Sequence, residues 1–160
     1  MLTFGTLTSP VAPDEFLSRY WTQRAILLQD PQRSLASVFD WAALNALLNS
    51  GDLVYPSTVV SRNEAVIPPE DFTIGADGKR VDASSVMRLF RDGASFSIRG
   101  ANSHWPALRA VIACLNDTFF ESVHTNVYCS PAHTQGFRCH YDLHEVFVLQ
   151  VEGTKHWRVF

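Results

Sequence analysis

Hydrophobic side chains recur at helical spacing in two stretches of the chain, residues 34–50 and residues 103–116. A repeat close to 3.6 residues places them on one face of a helix, where they can pack against a core. Gly51 follows the first stretch as a fitting stop signal, and Pro106 stands near the start of the second. Both stretches are therefore predicted helices that bury one face.

Two shorter helices are indicated by the residues at their ends. Pro13 suits the first turn of a helix over residues 13–21, and Asp82 can cap a helix over residues 82–91 that Gly93 ends. Between these helices, the residues before 118 are predicted as extended chain or loop. The sequence predicts short strands at 25–29 and 94–99, an extended stretch at 53–60 and a loop at 62–79.

The pattern changes after residue 118, where short apolar segments alternate with polar ones. This pattern predicts strands at 122–130, 138–142, 145–151 and 154–160, with a tight turn at Glu152-Gly153. The predicted fold class is α+β to mostly β. A helical and mixed region, residues 1–118, packs on the first strands of a jelly-roll barrel, residues 119–160.

Composition narrows the class of protein. A hydrophobic content of 46% supports a packed core, and a net charge of −3 gives no general basic surface for nucleic acid. The three cysteines have no CxxC spacing, and neither a secretory signal nor a membrane-spanning run is read in the sequence. These features predict a cytoplasmic protein.

A histidine and an aspartate stand two positions apart at His140 and Asp142. On a strand such residues point to the same face, so an imidazole and a carboxylate would lie together. Two histidines and one carboxylate on one face of an octahedron bind iron(II) and leave positions open for a cosubstrate and dioxygen. The pair is thus a candidate for part of a metal site, although a lone His–Asp pair is more often a hydrogen bond near a core.

Further polar residues strengthen the metal-site interpretation. Asn126 and Tyr128 share a face of a predicted strand, and Lys155 follows the turn at Gly153. A lysine among apolar strands must reach solvent or meet an anion, because burying an unpaired ammonium is costly, and a dicarboxylate cosubstrate would supply that anion. His144 also faces the pair, but on a straight strand it would stand about 13 Å from His140, too far to share one ion.

Residues 125–160 read TNVYCSPAHTQGFRCHYDLHEVFVLQVEGTKHWRVF. The order and spacing of Asn, Tyr, Ser-Pro, His-x-Asp-x-His, Phe, Gln, Gly, Lys and Trp in this run resemble those of the JmjC-type ribosomal oxygenases and their bacterial cupin-superfamily relatives. The segments FLSRYW and SFSIRG are similar in layout. Arg24-Ala25 departs from the basic residue and proline usual in that family.

This resemblance implies an iron(II)- and 2-oxoglutarate-dependent oxygenase with a double-stranded β-helix core. His140 and Asp142 would be the catalytic iron ligands. Lys155 would pair with the distal carboxylate of 2-oxoglutarate, Asn126 would hydrogen-bond near the metal and cosubstrate, and Tyr128 would line the substrate side. The implied substrate is a protein side chain, with a ribosomal protein among the candidates.

The same arrangement requires a bend in the chain. Were residues 140–150 one straight strand, Lys155 would stand about 26 Å from Asp142, at roughly 3.3 Å per residue. No 2-oxoglutarate molecule spans that distance. The chain is therefore expected to turn near residues 143–145 and cross to the opposing sheet of a jelly roll.

The resemblance also implies a second iron-binding histidine downstream of Lys155, outside these residues. Such a core has eight strands and about half are accounted for, so the chain is expected to be a fragment, a truncated gene product or a degenerate member. These residues alone are expected to bind iron weakly and not to turn over. Unpaired edges and apolar faces would favour dimerisation or aggregation. A non-catalytic cupin-like module with a relic metal site stays open. Another cupin-fold metal enzyme also stays open, although Lys155 argues against it.

Overall fold

The computed structural model describes residues 2–29, 35–135 and 140–159. The helices are α1 (Phe4–Thr8), α2 (Pro13–Arg19), α3 (Trp41–Asn49), α4 (Ala83–Arg91) and α5 (Pro106–Phe119). The strands are β1 (Thr58–Arg62), β2 (Ala65–Val66), β3 (Thr73–Ile74), β4 (Arg80–Val81), β5 (Ser95–Ile98) and β6 (Val127–Cys129). Short 3₁₀ turns span Pro69–Asp71 and Ala101–Ser103.

The main sheet has the strand order β2-β1-β5-β6, and every neighbouring pair is antiparallel. Ser97 at the centre of β5 pairs with Val59 of β1 on one side and with Tyr128 of β6 on the other. Strands β3 and β4 form a separate hairpin. The predicted class, helices combined with antiparallel sheets, is confirmed, and the arrangement is consistent with part of a jelly-roll core.

The core lies where the helices cover the main sheet. Its fully or almost fully buried members come from each of these elements: Leu47 of α3, Val60 of β1, Val86 of α4, Ile98 of β5 and Leu108 of α5. Burying side chains of this size supplies about 1.5–3 kcal/mol each. The apolar stripes predicted for the long helices are therefore the faces that pack into the shared core.

Helix α4 lies where the sequence predicts it, because capping residues stand at both of its ends. The Asp82 carboxylate accepts a hydrogen bond from the Ser85 backbone N–H at 2.9 Å and another from the Ser84 hydroxyl at 2.7 Å. Both bonds favour the charged form and lower the pKa of Asp82. Gly93, at φ +91°, follows the helix in a left-handed conformation that glycine adopts without strain.

The other predicted helices have different bounds in the structure. The helix predicted at 34–50 is the shorter α3, because the Asp40 carboxylate accepts the Ala43 N–H at 2.7 Å and caps the chain there. Residue 34 lies outside the described residues. The helix predicted at 103–116 begins at Pro106 and continues to Phe119, and the helix predicted at 13–21 ends at Arg19.

Two predictions for the first half are wrong. Residues 25–29 form no strand, and Leu27 is 83% exposed, because no described strand pairs with this apolar run. The loop predicted at 62–79 contains β2 and β3. Asn63 and Glu64 connect β1 to β2 with φ values of +47° and +68°. A glutamate in the left-handed region is uncommon, so the sequence gives little signal for this tight turn.

The C-terminal strand predictions are also largely wrong. Of residues 122–130 only β6 is a strand, and residues 140–159, as described, contain none. Residues 138, 139 and 160 of the predicted strands lie outside the described residues. Phe147, Leu149 and Val151 are nevertheless half-buried while Val148 and Gln150 are exposed. The period-2 pattern thus buries one side of an extended chain, although the described residues 140–159 are not assigned to a sheet.

Phe147 attaches this extended segment to the helices. Its ring lies 5.8 Å from that of Phe16, 5.7 Å from Trp21 and 6.0 Å from Phe119, while Phe4 stands 6.4 Å away. These five side chains, here called the aromatic cluster, join α1, α2 and the end of α5 to residues 145–151. Aromatic pairs at such distances contribute about 0.5–1.5 kcal/mol each beyond the area they bury.

We expect Phe147→Ala to lower the free energy of unfolding by about 2 kcal/mol, below the 3–5 kcal/mol of a fully buried phenylalanine, because the ring is half-buried. Urea denaturation measures the change. The neighbouring Val148→Ala is the matched control, since Val148 is 52% exposed and outside the aromatic cluster, and its effect should stay within about 0.5 kcal/mol. Equal losses for the two variants would contradict a specific role for the cluster.

Candidate functional site

Two of the predicted site residues stand side by side on β6. Tyr128 lies within the strand and Asn126 immediately precedes it, so both side chains are on the same face. The Asn126 amide nitrogen donates a hydrogen bond to the Tyr128 hydroxyl at 3.4 Å. Tyr128 is 49% exposed, so this face of β6 is open to a ligand.

A 3₁₀ turn anchors the chain just before β6. The Ala101 N–H donates to the Thr125 carbonyl at 2.9 Å, and the Thr125 N–H donates to the Asn102 side-chain oxygen at 3.0 Å. The Gly100 N–H reaches the Asn126 side-chain oxygen at 3.3 Å. Gly100 and Asn102 were not among the residues predicted for the site. Their one signal is the glycine at the end of SFSIRG, which marks a turn after β5.

Lys155 returns to the neighbourhood of β6. Burial raises the pKa of the Cys129 thiol to about 11, and the positive charge of Lys155 opposes part of that rise. A Coulomb interaction weakens with distance and is screened beyond roughly 10 Å, so this effect puts the Lys155 ammonium within electrostatic range of Cys129. Cys129 is adjacent to Tyr128 but on the other face of the strand, with its side chain packed toward the core.

Bends in the chain make this return feasible. The backbone bends at Leu143 and His144, within the region where the sequence analysis required a turn. It bends again at Glu152 and Gly153, where Gly153 has φ +68°. At this second bend the Gln150 side-chain amide donates to the Glu152 carbonyl at 2.6 Å. The chain therefore does not run straight from His140 to Lys155.

His140 and Asp142 lie in an exposed stretch without regular secondary structure. Among the described residues, no cluster of three or more His, Cys, Asp or Glu side chains is arranged to hold a metal ion. His144, weighed above as a third ligand, instead stands near His124, with ring centroids 6.4 Å apart. The structure therefore brings Asn126 to Tyr128 and lets the charge of Lys155 act on Cys129 of β6. In its described part it gathers no third ligand with His140 and Asp142.

The chemistry of this donor set fits an iron(II) and keto-acid site in part. An imidazole and a carboxylate two positions apart supply two of the three protein ligands of a facial triad. The Lys155 ammonium and the Asn126 amide N–H₂ are hydrogen-bond donors, as a carboxylate-bearing cosubstrate requires. His140 and Asp142 would hold the metal, and Lys155 and Asn126 would contact the cosubstrate.

The segment that contains the predicted site residues is similar to a known protein family. Residues 102–160 match the family model described as the JmjC domain. These residues are JmjC-domain sequence. The match begins in the 3₁₀ turn at Asn102 and includes α5, β6 and every residue predicted for the site. The resemblance found in the sequence is thereby confirmed, whereas the boundary expected between residues 118 and 119 stays a prediction.

The similarity to individual proteins extends over nearly the whole chain. A bifunctional lysine-specific demethylase and histidyl-hydroxylase NO66 from Drosophila grimshawi is 33% identical over 98% of this chain. Ribosomal oxygenase 1 from Gallus gallus is 32% identical and the Homo sapiens protein of that name 29% identical, each over 98% of the chain. The chain spans 21%, 26% and 24% of the lengths of these three relatives.

Across the described part of the chain, no helix has both the length and the apolar character that crossing a membrane requires.

We expect Lys155→Met to raise the pKa of Cys129 further above 11, because it removes the positive charge that favours the thiolate. Less thiolate then exists at any alkaline pH, so alkylation of Cys129 by iodoacetamide should be slower at pH 9 and its pH profile should shift upward. Cys114 and Cys139 are replaced by serine to isolate the signal. Lys79→Met, which removes a lysine from the β3–β4 turn, is the control, and identical profiles for the two variants would contradict the proximity of Lys155.

Proposed function

We propose that this chain carries part of the catalytic site of an iron(II)- and 2-oxoglutarate-dependent oxygenase. The observation that carries the proposal is the hydrogen bond from the Asn126 amide to the half-exposed Tyr128 hydroxyl within the segment that matches the JmjC domain, and the charge of Lys155 acts on Cys129 of the same strand. A cation acting on a short strand and an amide donor directly before it match a dicarboxylate better than they match an apolar or cationic ligand. The names of the relatives, which include oxygenase and hydroxylase, support the same class of reaction.

In the proposed site His140 and Asp142 hold the metal ion from the exposed segment that follows β6. When bound, ferrous iron with 2-oxoglutarate and dioxygen supplies the oxidation that hydroxylates a substrate carbon and releases succinate and carbon dioxide. The protein residues contribute positioning and charge compensation. Lys155 neutralises the distal carboxylate, Asn126 donates a hydrogen bond near the metal and cosubstrate, and Tyr128 lines the substrate side.

The proposed substrate is a protein side chain. The relatives are named for a lysine-specific demethylase, a histidyl-hydroxylase and a ribosomal oxygenase, so their names point to lysyl or histidyl groups and to the ribosome. We accordingly propose a residue of a ribosomal protein as the substrate. The half-exposed Tyr128 lies on the open face of β6, where a side chain entering from solvent would meet it.

A non-catalytic interaction module is the second candidate function. It is favoured by one observation: in the described part of the chain no third ligand joins His140 and Asp142. Succinate formation separates the two candidates, because a module with a relic site has no means of decarboxylating 2-oxoglutarate.

We expect the full-length protein to form succinate from 2-oxoglutarate only with iron(II) and dioxygen present, and Asp142→Ala to lower the rate at least about 100-fold by removing a metal ligand. Mass spectrometry of succinate measures the rate. Glu145→Ala is the matched control, because it removes an exposed carboxylate from the same segment without touching the proposed ligands. Undiminished turnover in Asp142→Ala would exclude the metal assignment, and no turnover in the wild-type protein would favour the interaction module.

We expect Lys155→Gln to raise the KM for 2-oxoglutarate by about 10- to 100-fold, the equivalent of losing one charge-assisted hydrogen bond of about 1.5–3 kcal/mol. Lys155→Arg should restore part of the affinity because it keeps the positive charge. Initial-rate kinetics with varied 2-oxoglutarate measure the effect, and Lys79→Gln controls for the loss of a distant lysine. An unchanged KM in Lys155→Gln would remove this residue from the keto-acid site.

A further inference from the structure

Gly100 meets the Asn126 side chain at the start of the 3₁₀ turn. Its backbone N–H lies 3.3 Å from the amide oxygen of Asn126, although the two residues are remote in the sequence. The contact arises because β5 leads into Gly100 and Asn126 leads into β6, and these strands are antiparallel neighbours. The end of one strand thus faces the beginning of the other.

This contact determines which end of the Asn126 amide faces outward. A backbone N–H can only donate, so the atom it meets must be the amide oxygen, Oδ1. The amide nitrogen, Nδ2, is then turned toward Tyr128, whose hydroxyl it reaches at 3.4 Å. Rotating the amide by a half turn would place two donors against each other at Gly100. Asn126 therefore presents N–H donors, and not a carbonyl oxygen, on the side of Tyr128.

Separate hydrogen bonds hold the backbone and the amide group. Thr125 is fixed on both of its backbone groups, by the Ala101 N–H at 2.9 Å and by the Asn102 side chain at 3.0 Å. These contacts place the backbone next to Asn126 but leave the orientation of its amide open. The Gly100 N–H supplies the remaining constraint, because it acts on the side-chain oxygen itself.

We propose that Gly100 is a positioning residue that fixes the Asn126 amide with its N–H₂ group toward the cosubstrate. The inference rests on the proposed function, since it assigns the outward donors to an acceptor such as a carboxylate oxygen of the keto acid. A ligand that offered a donor at this position would find no partner on Asn126. Gly100 acts through Asn126 and does not contact the ligand itself.

The backbone conformation explains why a glycine stands at this position. Gly100 has φ +64°, in the left-handed region that other residues adopt at a conformational cost. A Cβ atom added there would have no heavy atom within 4 Å. A larger residue at position 100 therefore fits in the available space, and its cost comes from the left-handed backbone conformation. Asparagine tolerates the left-handed region better than alanine, so Gly100→Asn and Gly100→Ala form a matched pair.

The first experiment measures hydrogen exchange of the residue-100 amide in the full chain without metal. We expect Asn126→Ala to speed exchange at least about 10-fold because the acceptor is lost. Asn126→Asp should retain the protection, since a carboxylate also accepts from Gly100. Exchange at Gly100 that is equal in wild type and Asn126→Ala would overturn the proposal. Far-UV circular dichroism checks that each variant is folded.

The second experiment measures 2-oxoglutarate binding by calorimetry to the iron(II)-loaded full-length protein without dioxygen. Asn126→Asp should bind more weakly than Asn126→Ala, because it keeps the Gly100 bond but turns oxygen atoms toward an anion. Asn126→Asp would then preserve the Gly100 contact and still bind 2-oxoglutarate more weakly than Asn126→Ala. A purely structural role of Asn126 predicts the opposite order. Binding by Asn126→Asp as tight as that by Asn126→Ala would overturn the proposal.

The glycine variants complete the test. Gly100→Ala should weaken 2-oxoglutarate binding about 10-fold and raise its KM with little change in kcat, whereas Gly100→Asn should stay within about threefold of wild type. Equal affinity in wild type and Gly100→Ala would count against the proposal. If the wild-type protein binds no 2-oxoglutarate, the proposed function fails, while the exchange experiment still decides whether Gly100 holds the amide.

Discussion

The antiparallel pairing of β5 with β6 is the constraint on which the candidate site depends. It joins the fully buried strand β5 to the short strand that carries Tyr128, with Ser97 opposite Tyr128 and Ile98 opposite Val127. Because the strands run in opposite directions, the turn after β5 meets the residues before β6. The contact between Gly100 and Asn126 follows directly from that register, and a slip of one residue would turn Tyr128 to the core.

In the described part of the chain beyond β6, the side chains pack on the core and no further strand is formed. Residues 140–159, as described, form no strand, yet Phe147 and Leu149 pack against the core and the aromatic cluster fixes their position. Packing of this kind tolerates bends, since no ladder of hydrogen bonds has to remain straight. The bends at Leu143-His144 and Glu152-Gly153 use that freedom, and they allow Lys155 to return toward β6.

The polar groups proposed to contact the cosubstrate are both hydrogen-bond donors. The Lys155 ammonium can only donate, and Asn126 is held with its N–H₂ group outward because its oxygen is already occupied by Gly100. The groups near β6 therefore favour a ligand rich in acceptors. His140 and Asp142 add an imidazole and a carboxylate, which are suited to a divalent metal ion and not to an anion. The proposed keto acid next to a ferrous ion would satisfy both sets of groups.

The sequence by itself determined the features that depend on near neighbours. These are the capped helix α4 at Asp82, the apolar stripe of α5, the shared face of Asn126 and Tyr128, and the motif that led to the JmjC family. Only the tertiary structure decided the features that require a distant partner. It placed Gly100 on the Asn126 amide, Phe147 in the aromatic cluster and His144 beside His124, and it formed no strand among the described residues after Glu145. The reason is physical: caps and helical stripes are satisfied within a few residues, whereas strands and side-chain networks exist only where another part of the chain supplies the partner.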